Sequence, residues 1–384
     1  MLFSEILGLS HIKSHLSKSV ENGRIPHAQL FVGPEGSGTL PMAIAYAQYI
    51  LCANTDAENS NGNEACNVKF NNFSHPDLHF AFPVTTNDKI KSHPVSSHFL
   101  PEWRQLLKEQ PYGNLFDWYK RLGVDNKQGR IGVDEAADIN KALALKSYEG
   151  GYKVMLIWMA EKMNIEASNK LLKLIEEPPN KTVFLLITQD EEQIISTIKS
   201  RCQVLHFPPL AQDDIKVGLI KQYNLPENEA IKIAHQSDGN YNKACDLVYQ
   251  DSEDLQFETW FITWIRSAFK AKGNKAAIHD LIAWSEEIAK TGRETQKLFL
   301  QFCIEFFRQA MLLNYGADSL VYFETQTKGF DISKFAPFVH NNNILDISEA
   351  LQDAIYHIER NGNSKIILTD LSIKLTRLLH AKKD

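Results

Sequence analysis

The residues Gly33-Pro34-Glu35-Gly36-Ser37-Gly38-Thr39-Leu40 stand between a short apolar run, Gln29-Leu30-Phe31-Val32, and a segment of helical pattern from Pro41 to Leu51. Glycines at this spacing let backbone N–H groups turn inward around phosphate oxygens. The N-terminus of the following helix adds positive potential. Gly33, Gly36, Gly38 and Thr39 are therefore the candidate phosphate-loop residues. Splitting a triphosphate there needs an ammonium on the β/γ-phosphates and a hydroxyl on magnesium. The ammonium position holds Thr39 and the hydroxyl position holds Leu40. Sliding the register makes Thr39 the hydroxyl but leaves Gly38 where lysine belongs, so neither alignment supplies the charge. A glycine turn that merely joins strand to helix remains open beside the reading of a decayed nucleotide site.

A second apolar run, Lys153-Val154-Met155-Leu156-Ile157, meets Trp158-Met159 at the two positions where an ATP-splitting site places acids. One such carboxylate holds Mg²⁺ and the other polarises the attacking water. Indole and thioether offer a hard cation no oxygen. Glu161 falls beyond the strand end and reads as a solvated surface charge. Two independent losses point the same way, and no intrinsic ATPase is expected.

The elements that must position these residues read as an alternation of helix and strand. Ser10 to Asn22 carries Ile12, Leu16 and Val20 at helical spacing and is closed by Gly23. After residue 130 a helix is predicted over 133–146, a strand over Lys153–Met159 and a helix over Ile165–Ile175. A strand over Thr182–Thr188, a helix over Gln193–Lys199 and a last strand over Gln203–Phe207 follow. Strands alternating with helices predict a parallel α/β sheet. Residues 53–130, with Asn54 to Asn63 and several prolines, read as an irregular insertion. Its only regular parts are short helices around Pro101–Lys108 and Leu115–Leu122. Beyond Pro208-Pro209 every periodic segment is helical: three short helices to about 250, then longer, aromatic-rich ones containing Phe257, Trp260, Phe261, Trp264 and Phe269. The expected division is an α/β domain at 1–208, a helical lid at 209–252 and an all-α domain at 253–384.

The chain has 384 residues, and its 43% hydrophobic and 23% charged residues are ordinary for a globular protein with a sizeable core. A net charge of −6 disfavours a broad nucleic-acid binder. No apolar run is long enough to span a bilayer, and Met1-Leu2-Phe3-Ser4-Glu5 is unlike a signal peptide, so the cytosol is expected. Cys52, Cys66, Cys202, Cys245 and Cys303 are scattered and odd in number, which predicts free thiols.

Four stretches carry a resemblance. Gly23-Arg24-Ile25-Pro26-His27-Ala28-Gln29-Leu30-Phe31-Val32-Gly33-Pro34-Glu35-Gly36-Ser37-Gly38 is the first. Ala167-Ser168-Asn169-Lys170-Leu171-Leu172-Lys173-Leu174-Ile175-Glu176-Glu177-Pro178-Pro179 is the most specific. Phe184–Thr188, leading to a sensor position near Gln189, and Ser200-Arg201-Cys202 complete the set. In this order the chain resembles the bacterial clamp-loader subunits of DNA polymerase III, most closely the delta-prime type, over about residues 1–250. The resemblance implies an AAA+ module with a RecA-like domain and helical lid, followed by a helical collar. It also implies a five-membered ring with gamma/tau and delta subunits that places the sliding clamp on primed DNA. No membrane is involved.

On that resemblance Arg201, flanked by Ser200 and Cys202, is implied to face a neighbouring subunit and contact the γ-phosphate of its ATP. A guanidinium is a permanently charged planar donor suited to that task, and such fingers are worth about 10³–10⁵ in turnover in related NTPases. Cys202 reads as a small buried residue rather than a nucleophile. Lys243 falls where the family often has a basic lid residue, and a solvated helix lysine fits equally. The family's four-cysteine zinc module would begin at Cys52, but only Cys66 follows nearby, leaving the tetrahedral set incomplete. No zinc and no ATP of its own are expected. An active gamma/tau-like motor, or an AAA+ accessory protein unrelated to replication, are the alternative readings.

Overall fold

A computed structural model describes residues 1–52, 64–124, 127–148, 151–249, 252–271, 274–321, 325, 327 and 329–381. The Asn54 to Asn63 stretch lies outside the described residues. The chain divides into two compact units, one of Met1–Val124 with Gln128–Val248 and one made almost wholly of Tyr249–Asp384.

The first unit is built on one parallel sheet of β1 (Ala28–Val32), β2 (Leu78–Ala81), β3 (Lys153–Trp158), β4 (Thr182–Thr188) and β5 (Gln203–His206), ordered β2-β3-β4-β1-β5. Leu30 pairs with Leu186 on one side and Val204 on the other, and Phe80 pairs with Leu156. Every residue of β1, β3 and β4 is buried, which is why these strands read as unbroken apolar runs rather than alternating ones.

Both faces are covered by helices: α1 (Ser10–Glu21), α2 (Thr39–Cys52), α3 (Glu64–Asn71), α4 (Leu100–Glu109), α5 (Leu115–Leu122), α6 (Val133–Ala144), α7 (Ile165–Glu176) and α8 (Ser196–Lys199). Because strand side chains alternate, Phe31, Leu156, Leu185 and Ile187 enter one core layer with residues of α1, α2, α4 and α5. Leu30, Met155, Ile157, Phe184 and Leu186 enter the other with α6 and α7. The lid helices α9 (Gln212–Tyr223), α10 (Glu227–Gln236) and α11 (Tyr241–Tyr249) join the first of these layers through Ile215, Leu219, Ile233 and Ala244.

Two expectations are corrected. The stretch 53–130 is not merely irregular: it supplies the edge strand β2 and an aromatic layer over one sheet face. Cys52 and Cys66 are not free. They form a disulfide between the end of α2 and α3, with Cα atoms 5.5 Å apart. Cys202, Cys245 and Cys303 are free.

The second unit is helical: α12 (Ser252–Ala271), α13 (Lys275–Ala289), α14 (Arg293–Asn314), the short α15 (Ile332–Phe335), α16 (Asn341–Glu359) and α17 (Ser364–Leu378). Its core is aromatic. Trp264 stacks on Trp284 at 4.7 Å and donates its indole N–H to Ser372 Oγ at 2.8 Å, while Trp284 donates to the Trp260 carbonyl at 3.0 Å. Buried indoles need such acceptors. The parallel α/β sheet followed by an all-helical part is the expected fold class. Among the described residues no helix is long and apolar enough to cross a membrane.

Candidate functional site

The phosphate-loop candidates join β1 to α2, and the loop is closed over by other parts of its own unit. Gly36 and Gly38 have φ of +69° and +91°, conformations that a side chain would strain. A Cβ on Gly36 would lie 1.9 Å from Asn240 Oδ1, so the lid rests directly on the loop. The Tyr241 amide donates to the Gly36 carbonyl at 3.2 Å. Glu35 Oε1 accepts from Asn240 Nδ2 and from Asn114 Nδ2, each at 3.1 Å. Asn242 Nδ2 donates to Asp117 Oδ2 at 3.0 Å, and Asp117 also forms the capping box with Asn114 at the start of α5. Loop, lid and the region preceding α5 are thus latched by one polar network.

Tyr112, also from the insertion, packs edge-on against Tyr241 with ring centroids 4.9 Å apart and accepts from the Leu7 amide at 2.9 Å. Burial pushes its phenol up to about 12, so it stays a neutral wall. The cleft that remains is lined by Gly36, Gly38, Thr39, Tyr112, Trp158, Met159 and Gln189, among others.

Trp158 and Met159 are buried in the core layer of that face. Trp158 lies 5.0 Å from Trp103, which stacks on Phe82 at 4.3 Å and meets Trp118 edge-on at 5.4 Å. Where an ATPase keeps acids, this chain therefore extends its hydrophobic core. Thr39 opens α2, and Leu40 is buried. These residues do not fit a magnesium–triphosphate complex, which requires oxygen ligands and a cation on the β/γ-phosphates.

Glu161 corrects an expectation. It is half-buried rather than a fully solvated surface charge: Oε1 accepts from the Gln189 amide at 3.4 Å, Oε2 is enclosed with no partner among the described residues, and desolvation raises its carboxyl. Lys243 sits in the first turn of α11, where its amide donates to Asn240 Oδ1 at 3.0 Å, and it does not line the cleft. Sequence reading missed Tyr112, Asn114, Asn240 and Glu35. Only the asparagines' preference for helix starts hinted at them.

The Ser200-Arg201-Cys202 turn lies between α8 and β5, apart from these cleft-lining residues. The Arg201 guanidinium donates from Nη1 to the Thr197 carbonyl at 2.9 Å and from Nη2 to Glu176 Oε1 at 3.2 Å. The side chain is 32% exposed and that of Glu176 51%, so the pair is at the surface but tied to its own chain. Ser200 Oγ donates to the Thr197 carbonyl at 3.2 Å. Burial pushes the Cys202 thiol up to about 11, which makes it an inert thiol.

A family model described as "DNA polymerase III, delta subunit" matches residues 8–211. The DNA polymerase III subunit delta' of Bacillus subtilis is 29% identical over 207 residues, which are 54% of this chain and 50% of the relative. The DNA polymerase III subunit tau of the same organism is 25% identical over 325 residues, 81% of this chain and 50% of the relative. The delta' subunit of Haemophilus influenzae is 26% identical over 226 residues, 59% and 56% respectively. The chain thus spans about half the length of these relatives.

Proposed function

Since the chain belongs to the DNA polymerase III delta-subunit family, we propose that it is the non-hydrolysing, delta-prime-type subunit of a clamp loader and lends Arg201 to ATP held by a neighbouring gamma/tau subunit. Its proposed parts are the α/β domain to residue 208, the lid at 209–252 and a collar at 253–384. Its proposed partners are gamma/tau and delta subunits in a hetero-pentameric ring, and through them the sliding clamp and primed DNA. It contributes to polymerase function by assembly alone and carries neither ATP nor zinc.

The observation that supports this reading best is the apolar, latched cleft. Trp158 occupies the position of a magnesium-binding acid and packs at 5.0 Å against Trp103. The lid closes on the loop through the Tyr241 amide on the Gly36 carbonyl and through Asn240 on Glu35. A subunit with no chemistry of its own can still serve a neighbour, because a trans guanidinium stabilises charge on the transferring phosphoryl group.

The longer match to a tau subunit favours one second reading, an ATP-hydrolysing motor. Titrating the purified chain with a fluorescent ATP analogue and assaying its phosphate release separates the two. No saturable binding and no release are expected. Turnover by the isolated chain that disappears on changing Thr39 would establish the motor instead.

A further inference from the structure

We propose that Glu176 is a positioning residue for Arg201: it fixes the guanidinium plane at the surface so that the group meets an anionic phosphoryl oxygen already oriented. This inference rests on the reading of Arg201 as a trans donor.

Glu176 is the last residue of α7, and Thr197 belongs to α8, so two separate elements hold the guanidinium. Contacts from Nη1 to the Thr197 carbonyl and from Nη2 to Glu176 Oε1 define the plane of a rigid group. The carboxylate engages a single Nη2 hydrogen at 3.2 Å. It does not clasp the fork in the bidentate manner that would compete with an incoming anion. Among the described residues, Nη2 therefore retains a hydrogen for another acceptor. Among the described residues Nε is enclosed without a partner, so the inner edge is pinned at some cost while the outer edge stays reachable. An exposed ion pair adds little to stability. A pair that leaves Nε unsatisfied is poorly explained as a fold-stabilising staple and better explained as an aiming device.

The test uses the chain reconstituted with its gamma/tau and delta partners, sliding clamp and primed DNA, with steady-state ATP turnover as the readout. Arg201→Ala lowers turnover by about tenfold or more, as loss of a trans guanidinium should. Glu176→Ala lowers kcat by about three- to tenfold, the scale of a modest misorientation, and leaves KM for ATP nearly unchanged. Glu176→Gln, which keeps the acceptor oxygen, restores most of the rate. In an Arg201→Ala background, Glu176→Ala has no further effect. Thermal melts of each variant identify any loss of folding. Normal turnover with Glu176→Ala, beside an impaired Arg201→Ala, overturns the role of Glu176 alone. An equal loss in both backgrounds also overturns it, since the residue would then act independently of Arg201. Normal turnover with Arg201→Ala removes the trans-donor reading itself.

Discussion

The phosphate-loop cleft and the Arg201 turn belong to one compact unit but have been treated by opposite physics. In the cleft, Trp158 and Met159, read from the sequence as the acid positions, and Leu40, read as the hydroxyl position, are apolar and join the core. At the turn, a charged side chain remains 32% exposed although its Nε goes unsatisfied. Burial of apolar surface is worth about 25 cal/mol per Å². Apolar side chains in the cleft therefore raise stability, while keeping an awkward arginine at the surface does not. The difference teaches that one unit can carry a cleft continuous with its core beside a charged group held at its surface.

The largest expected effect tests the structural half of that contrast. Trp158→Ala leaves a cavity beside Trp103 and destabilises the chain by about 3–5 kcal/mol in urea unfolding. A loss near zero would mean that the cleft is not part of the core. A second substitution asks whether this fold rejects acids everywhere. Glu135 is 2% exposed and accepts from the Ser96 amide at 2.6 Å, and burial pushes its carboxyl up to about 7. The folded state then binds more protons than the unfolded state between the ordinary carboxyl range and about pH 7. This contribution to stability is present at low pH and is lost as pH rises through that window. Glu135→Gln should match the parent near pH 4 and exceed it by about 2–3 kcal/mol at pH 8, measured by urea melts. Such a result shows that a buried acid is tolerated, so its absence at Trp158 is specific to the cleft. The smallest effect concerns the latch. Asn240→Ala removes the contact to Glu35 and the cap on Lys243, costing about 1 kcal/mol. It should raise hydrogen exchange in α11 selectively.

The α/β alternation was legible because fully buried parallel strands leave unbroken apolar runs, as in Thr182–Thr188. The missing lysine and acids were legible because those positions are set by a local motif. β2 was not: its residues Leu78-His79-Phe80-Ala81 are few and lie between Pro76 and Pro83, so period and length carried no signal. The Cys52–Cys66 bond, the Glu35–Asn240 contact and the partial burial of Glu161 depend on chain distant in sequence. Glu176 lay within a recognised motif, yet its meeting with Arg201 across 25 residues was visible only in three dimensions.

The indole cluster beside the cleft has an optical consequence. The chain's six tryptophans divide evenly: Trp103, Trp118 and Trp158 lie in the first unit and Trp260, Trp264 and Trp284 in the second, all buried. Intrinsic emission therefore sums two sets of indoles, three from each unit. Replacing the second trio with phenylalanine would turn the protein into its own spectroscopic probe of the cleft.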